Sequence, residues 1–362
     1  MKKPAVRGSY CACAQTQIFT ATRRSCDRRV RLVQCVRSCR RQNTLTFSDS
    51  VLLCSQSIMS PVTVEKISEP CRLGEGPHWD TDKKVLYFVD IDGMRVHKYD
   101  PATRTEVTVN FDEEVSLIIP VKDTADKFVV TQRRKLVLMT WDGESSKPGA
   151  LEVIATVDEG DNRINDGKAD SAGTLWAGTM APIINKQVIV DRGIFFSISK
   201  DRSAKTHLPK VSVSNGIAWS LDNKTMYYID SPTRKIDAFD FDVTKAEIGN
   251  RRTVFNFEEQ GVEGFPDGQT IDTDGKLWVA CYGGKQVIQV DPGSGKLLQR
   301  VDIPALNVTS VAWGGAGLDE LFVTSAFDGM TREELERLPM AGCSFRVTGL
   351  GAKGLPAHRV LL

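Results

Sequence analysis

The 362-residue chain is 41% hydrophobic and 26% charged, a composition that excludes a fibrous or wholly disordered protein. Its net charge of +1 conceals two regions: residues 1–58 carry 11 Lys and Arg against 2 acids, and residues 59–362 carry 36 against 44. The acidic larger region argues against nucleic acid as a partner and suits a cation, and no run of 18 apolar residues offers a membrane-spanning helix.

Residues 1–58 form a basic leader that also holds six of the nine cysteines, Cys11, Cys13, Cys26, Cys35, Cys39 and Cys54. Its few apolar residues, such as Ile18-Phe19, do not make the core of a secretory signal. The Arg and Ser bias fits either a disordered extension or a mitochondrial transit segment. The spacings of Cys11, Cys13, Cys35 and Cys39, with no partner histidine, are unusual for zinc. Only Cys71, Cys281 and Cys343 follow, too few for a disulfide scaffold, which points to a reducing compartment. The expected location is the cytoplasm, or the mitochondrion if the leader is a transit segment.

From Met59 onward the chain reads as one domain, residues 59–362, built of repeated hairpins. Ser60-Pro-Val-Thr-Val-Glu-Lys-Ile67 predicts a first strand. Glu75-Gly-Pro-His-Trp-Asp80 precedes Val85-Leu-Tyr-Phe-Val-Asp90, and a weaker copy runs from Ser116-Leu-Ile-Ile to Lys127-Phe-Val-Val-Thr131. Asp166-Gly-Lys-Ala-Asp170 precedes Gly173-Thr-Leu-Trp-Ala-Gly178, and Asn215-Gly-Ile-Ala-Trp-Ser220 precedes Thr225-Met-Tyr-Tyr-Ile-Asp230. Asp267-Gly-Gln-Thr-Ile-Asp272 precedes Gly275-Lys-Leu-Trp-Val-Ala280, and Ser310-Val-Ala-Trp313 precedes Glu320-Leu-Phe-Val-Thr324. The copies start near 75, 116, 166, 215, 267 and 310, intervals of 41 to 52 residues, the length of a four-stranded propeller blade. Strands rich in Val, Ile, Tyr, Phe and Trp, joined by Asp, Gly, Asn and Lys, support that reading. Helical periodicity is confined to Thr331–Leu338. The expected fold is therefore all-β, a six-bladed β-propeller.

A propeller sets the same strand of every blade against its axis, so residues at one repeat phase converge. At that phase stand Glu75, Asp166, Asn215 and Asp267, with Asn165 one position earlier. Glu75, Asn165, Asn215 and Asp267 form the expected ligand set of a central cation. Carboxylate and amide oxygens suit a hard divalent ion. The alternative is that Asp-Gly and Asn-Gly pairs only make turns. Asp90 and Asp230 read as turn or cap residues, His78 as a strand residue, and the tryptophans as blade packing. No G-x-S-x-G elbow, phosphate loop, EF-hand pattern or H-E-x-x-H zinc motif occurs. Asn223-Lys-Thr225 and Asn307-Val-Thr309 match the short glycosylation sequon, inert in a reducing compartment.

The larger region resembles the SMP-30/gluconolactonase/luciferin-regenerating-enzyme family, especially its regucalcin-like branch. The resemblance rests on Gly74-Glu-Gly-Pro-His-Trp79, Asn162-Arg-Ile-Asn-Asp-Gly-Lys168, Ala177-Gly-Thr-Met180, Ser214-Asn-Gly-Ile-Ala-Trp219, Tyr227-Tyr-Ile-Asp-Ser231, Pro266-Asp-Gly268, Leu277-Trp-Val-Ala-Cys-Tyr282 and Val347-Thr-Gly-Leu-Gly-Ala-Lys-Gly354. The leader has no counterpart there. The resemblance implies a propeller with one divalent cation, Ca²⁺ first and Zn²⁺, Mn²⁺ or Mg²⁺ as others that such ligands accept. It further implies Glu75, Asn215 and Asp267 as metal ligands, Asp267 as general base, Arg163 as a substrate contact, and Asn165 beside the metal or the substrate. The implied reaction is hydrolysis of a small-molecule lactone such as gluconolactone, with no nucleic-acid or membrane partner. One departure stands out: after Met180 the chain reads Ala181-Pro-Ile-Ile-Asn185, so Ile183 falls where a sugar-facing acid is expected. That leaves two alternatives, another ester-like or luciferin-related substrate and a non-enzymatic calcium-binding role.

Overall fold

The structure, a computed structural model, describes residues 61–362; the leader lies outside them. Six four-stranded antiparallel sheets follow one another as blades. The inner strands of blades one to five are Gly74–Asp80, Ile118–Pro120, Arg163–Ala169, Ser214–Trp219 and Phe265–Ile271. Blade six takes Asn307–Gly314 as its inner strand and Thr63–Lys66 as its outermost, paired with Phe345–Thr348. The predicted first strand thus closes the ring, joining the N-terminal and C-terminal parts of the domain in one sheet.

The second strands of blades one and three, Val85–Asp90 and Leu175–Met180, are buried at every position, as expected of a sheet covered on both faces. Tryptophans pack blade against blade. Trp79 stacks on Phe322 with ring centroids 5.2 Å apart, Trp176 meets Phe241 edge-on at 5.6 Å, and Trp278 meets Trp313 at 5.3 Å. The indole N–H groups of Trp176 and Trp278 donate to Asp170 and Asp272 at 2.9 and 2.8 Å, one contact repeated in two blades. Asp90 accepts backbone N–H groups from Arg72, Leu73 and Gly93, so it ties its own turn as expected, whereas Asp230 accepts from Ser212 and Val213, on the segment entering its blade, and does not cap the turn that follows it. The helix is Arg332–Arg337, opened by a Thr331–Glu334 capping box. Among the described residues, no helix is long and apolar enough to cross a membrane.

The expectation least well matched is the sheet of blade two. Its inner strand is only three residues, all apolar. Pro120 cannot donate to the ladder, which limits the strand's length. The alternative that these Asp-Gly and Asn-Gly pairs are turns does not hold: Asp166-Gly167, Asn215-Gly216 and Asp267-Gly268, like Glu75-Gly76, lie within inner strands.

Candidate functional site

In the four inner strands that carry the predicted residues, the pairing register shifts at those residues. It breaks between Glu75 and His78, Ile164 and Asp166, Asn215 and Ile217, and Pro266 and Gln269. A β-bulge leaves a residue outside the ladder and re-aims its side chain. Asn165 is the unpaired residue in blade three, which explains how it and its neighbour Asp166 both reach the central group. The glycines after the site residues answer to space. A Cβ on Gly216 would lie 2.6 Å from the Asp267 carbonyl oxygen, and one on Gly268 would lie 2.0 Å from Ser310 Oγ. Neighbouring inner strands approach that closely only because glycine has no side chain.

Glu75, Asn165, Asp166, Asn215 and Asp267 are all buried. Asn165 Nδ2 donates to Asn215 Oδ1 at 3.0 Å and to the Ser214 carbonyl at 2.8 Å. Asn215 Nδ2 donates to Ser231 Oγ at 2.8 Å, and that hydroxyl donates to the Pro266 carbonyl at 2.7 Å. One chain of hydrogen bonds therefore links blades three, four and five. It fixes the amide orientations, with Asn165 Oδ1 taking a 2.6 Å hydrogen bond from Arg163 Nη1.

The carboxylates are held differently. Glu75 Oε2 accepts the Gly76 N–H at 3.0 Å and Asp166 Oδ1 the Gly167 N–H at 2.7 Å. Asp267 Oδ1 is buried with no hydrogen-bond partner. Burial, and then the charge of Asp166, push the Glu75 pKa up to about 8. Burial, with Glu75 and Asp166 beside it, raises Asp267 well above the usual carboxylate range. Burial also raises Asp166. Arg163 lies close enough to favour the charged forms of Glu75 and Asp267, and its own pKa is lowered by burial. Three acids facing one another, with the Arg163 guanidinium near Glu75 and Asp267 and the Lys168 ammonium near Asp166, remain under-compensated, a condition that favours protonation or a bound cation. The donor atoms are all oxygen, and Asp267 Oδ1 is free, so the residues fit a hard divalent ion.

Every predicted site residue except Arg163, which is half-buried at the rim, lies inside this buried group. Sequence reasoning placed Asp166 at the right phase but not in the site; its charge acts on both Glu75 and Asp267. It missed Lys168, two residues on, whose Nζ donates to the Gln269 carbonyl at 2.7 Å. Period two along an inner strand was the available signal, because Asp166 and Lys168 share a face. His78 is buried in its strand, its pKa lowered to about 4 by burial, and carries no charge near neutrality.

The site lies where the inner strands begin. The links between second and third strands lie at that same end. Two are long: residues 181–192 of blade three and 327–344 of blade six. Ile183, Ile184, Val188 and Val190 in the first are exposed, Ile183 at 58%. Blades three and six are opposite in a ring of six.

The SMP-30/Gluconolactonase/LRE-like region model matches residues 73–327. Over 304 residues the chain is 43% identical to regucalcin from Gallus gallus and 42% identical to regucalcin from Homo sapiens, spanning 83% of this chain and 99% of each relative. Its structure is similar to that of a luciferin-regenerating enzyme, with a TM-score of 0.80 and 42% identity over 83% of this chain and 100% of that one. A gluconolactonase from Xanthomonas campestris shares the fold at a TM-score of 0.62 and 18% identity, over 80% and 90% of the two chains. A propeller with the motifs of this family, matched by its model and by full-length relatives, belongs to the SMP-30/gluconolactonase/luciferin-regenerating-enzyme family.

Proposed function

We propose that this chain hydrolyses a lactone or similar cyclic ester with one divalent cation in its tunnel, held by Glu75, Asn215 and Asp267 with Asn165 beside it. The observation that carries the reading is the buried, partnerless Asp267 Oδ1 facing Glu75 and Asp166. Bound there, a divalent cation such as Ca²⁺ supplies Lewis acidity toward an ester carbonyl. Asp267 is the group that accepts a proton from the attacking water, its Oδ1 being free of any hydrogen bond in the protein. Arg163 donates to the ester or hydroxyl oxygens and orients the ring, with Asn165 fixing the guanidinium. The hydrogen-bonded pair Asn165 and Asn215 keeps the amide oxygens in place without reorganisation.

The apolar link 181–192 favours an ester less polar than a sugar lactone. A structural neighbour at 42% identity is named for luciferin regeneration rather than for a sugar lactone. The test is hydrolysis of gluconolactone and of an aliphatic lactone by metal-stripped protein supplied in turn with Ca²⁺, Zn²⁺, Mn²⁺ and Mg²⁺. Cation-dependent turnover that Asp267→Ala abolishes is expected. Cation binding with no turnover on either lactone would replace the hydrolase reading with that of a binding protein.

A further inference from the structure

A second group of ligand-type side chains lies away from the tunnel, where the ring closes between blades six and one. Cys71, Asp90 and His97 are each at least 95% buried, and their ligand atoms lie within 4.8 Å of one another. Among the described residues this is the group in which three Cys, His or carboxylate atoms come so close. Each is positioned by ordinary strand geometry. His97 pairs with Phe88 across adjacent strands, and its ring lies parallel to the Phe88 ring at 4.6 Å. Asp90, two residues beyond Phe88, shares that face. Cys71 arrives on the segment leading from blade six to blade one, its N–H bonded to the Gly342 carbonyl at 2.8 Å.

The hydrogen bonds leave one valence open on each of two groups. His97 Nδ1 lies 2.6 Å from Glu106 Oε1. A carboxylate only accepts, so Nδ1 carries the proton and the lone pair is on Nε2. Nε2 is buried and has no partner. A carboxylate behind the imidazole is the arrangement that orients a metal-ligating histidine. Asp90 Oδ1 accepts two backbone N–H groups and Oδ2 one, which leaves Oδ2 a free lone pair. The Cys71 thiol, its pKa raised by burial and by the Asp90 charge, is neutral in the absence of an ion.

We propose that Cys71, Asp90 and His97 Nε2 form a second metal site, for Zn²⁺ or a similar borderline-soft ion, that staples blade six to blade one. One thiolate, one imidazole and one carboxylate select zinc over Ca²⁺ or Mg²⁺. Zn–N and Zn–S bonds of about 2.0 and 2.3 Å place tetrahedral ligands roughly 3–4 Å apart, so a small side-chain rotation closes the set. Binding displaces the thiol proton to solvent. The site shares no residue with the tunnel and does not depend on what the tunnel does.

The test uses the full chain, stripped of metal and then given Zn²⁺ for anomalous diffraction and Co²⁺ for spectroscopy. A zinc peak flanked by Cys71, Asp90 and His97 is expected. A thiolate-to-cobalt charge-transfer band should weaken in Cys71→Ser and His97→Asn and persist in Asp267→Asn. The six leader cysteines contribute the same background to every variant, so the difference between variants is what is read. Glu106→Gln should weaken zinc binding about 10- to 100-fold. The proposal fails if the wild-type map shows no zinc there, or if folded His97→Asn gives an unchanged band. Should Cys71→Ser not fold, the wild-type map and the His97 and Glu106 variants decide the matter.

Discussion

Asn165 donates a 3.0 Å hydrogen bond to the amide oxygen of Asn215, fifty positions along the chain. The two residues meet because each stands at a register break near the start of an inner strand, in adjacent blades. The same geometry brings Glu75 and Asp267 to the axis, and it leaves acids buried with too little positive charge.

That imbalance costs the metal-free protein stability. Asp267→Asn removes a buried carboxyl whose pKa is raised by burial, at nearly constant volume, and should stabilise the metal-free chain by on the order of 1–3 kcal/mol near neutral pH. At this size each kcal/mol moves Tm by about 2–4 °C. Thermal melts in chelator check this: the variant should melt higher than wild type without metal and gain nothing from Ca²⁺.

The pH dependence has a definite sign. Glu75, ordinarily titrating at 4.5, is raised to about 8 in the fold, so the folded state holds a proton that the unfolded chain has released. Its contribution to metal-free stability therefore falls as pH rises from about 4.5 through about 8. Cation affinity moves the opposite way, rising over the same window as protons cease to compete. Melts at pH 5, 6.5 and 8, with chelator and with excess Ca²⁺, should show stabilisation by Ca²⁺ growing with pH.

In the proposed function Arg163 holds substrate rather than cation. Arg163→Met removes charge-assisted hydrogen bonds worth about 1.5–3 kcal/mol, so lactone kcat/KM should fall about 10- to 100-fold. Calcium affinity should stay equal or tighten, because a nearby positive charge is gone. Steady-state kinetics and calorimetry on one preparation separate the two.

Ile183 tests the wall of the mouth. At 58% exposure, Ile183→Glu should change stability by less than about 0.5 kcal/mol. The ratio of gluconolactone to aliphatic-lactone turnover should rise. An unchanged ratio would remove the link 181–192 from the account of specificity.

Gly268 tests the packing of the ring. A Cβ there meets Ser310 Oγ at 2.0 Å, so Gly268→Ala must part the inner strands of blades five and six. A loss of about 1–3 kcal/mol in denaturant unfolding is expected, with weakened cation binding because Asp267 is the preceding residue.

Much of this was legible from repetition. Six hairpins at intervals near fifty residues gave the blades, and the shared phase of Glu75, Asn215 and Asp267 predicted that they meet. Ser60–Ile67 reads as a strand, observed over Thr63–Lys66, but its pairing with Phe345–Thr348 is not legible, because closure of a ring is a long-range fact that no local pattern encodes. The bulges were hidden too: a one-residue register slip leaves no mark in composition, so Asp166 and Lys168 were undervalued. The Cys71, Asp90 and His97 group joins two strands and a connecting segment, with spacings that match no short metal motif. Of the two sequons, Asn307 is buried and Asn223 sits at φ 54° in a hairpin turn.

The central claim is a cation coordinated in the tunnel by Asp267 and its neighbours. Calorimetric titration of Ca²⁺ into the metal-stripped full chain tests it most directly, because the thiolate-containing group at the ring closure disfavours calcium. One Ca²⁺ per chain is predicted for wild type, with binding at least about 100-fold weaker in Asp267→Asn, the loss of a single charged ligand being worth about 3 kcal/mol. Equal calcium affinity in the two proteins would contradict the account.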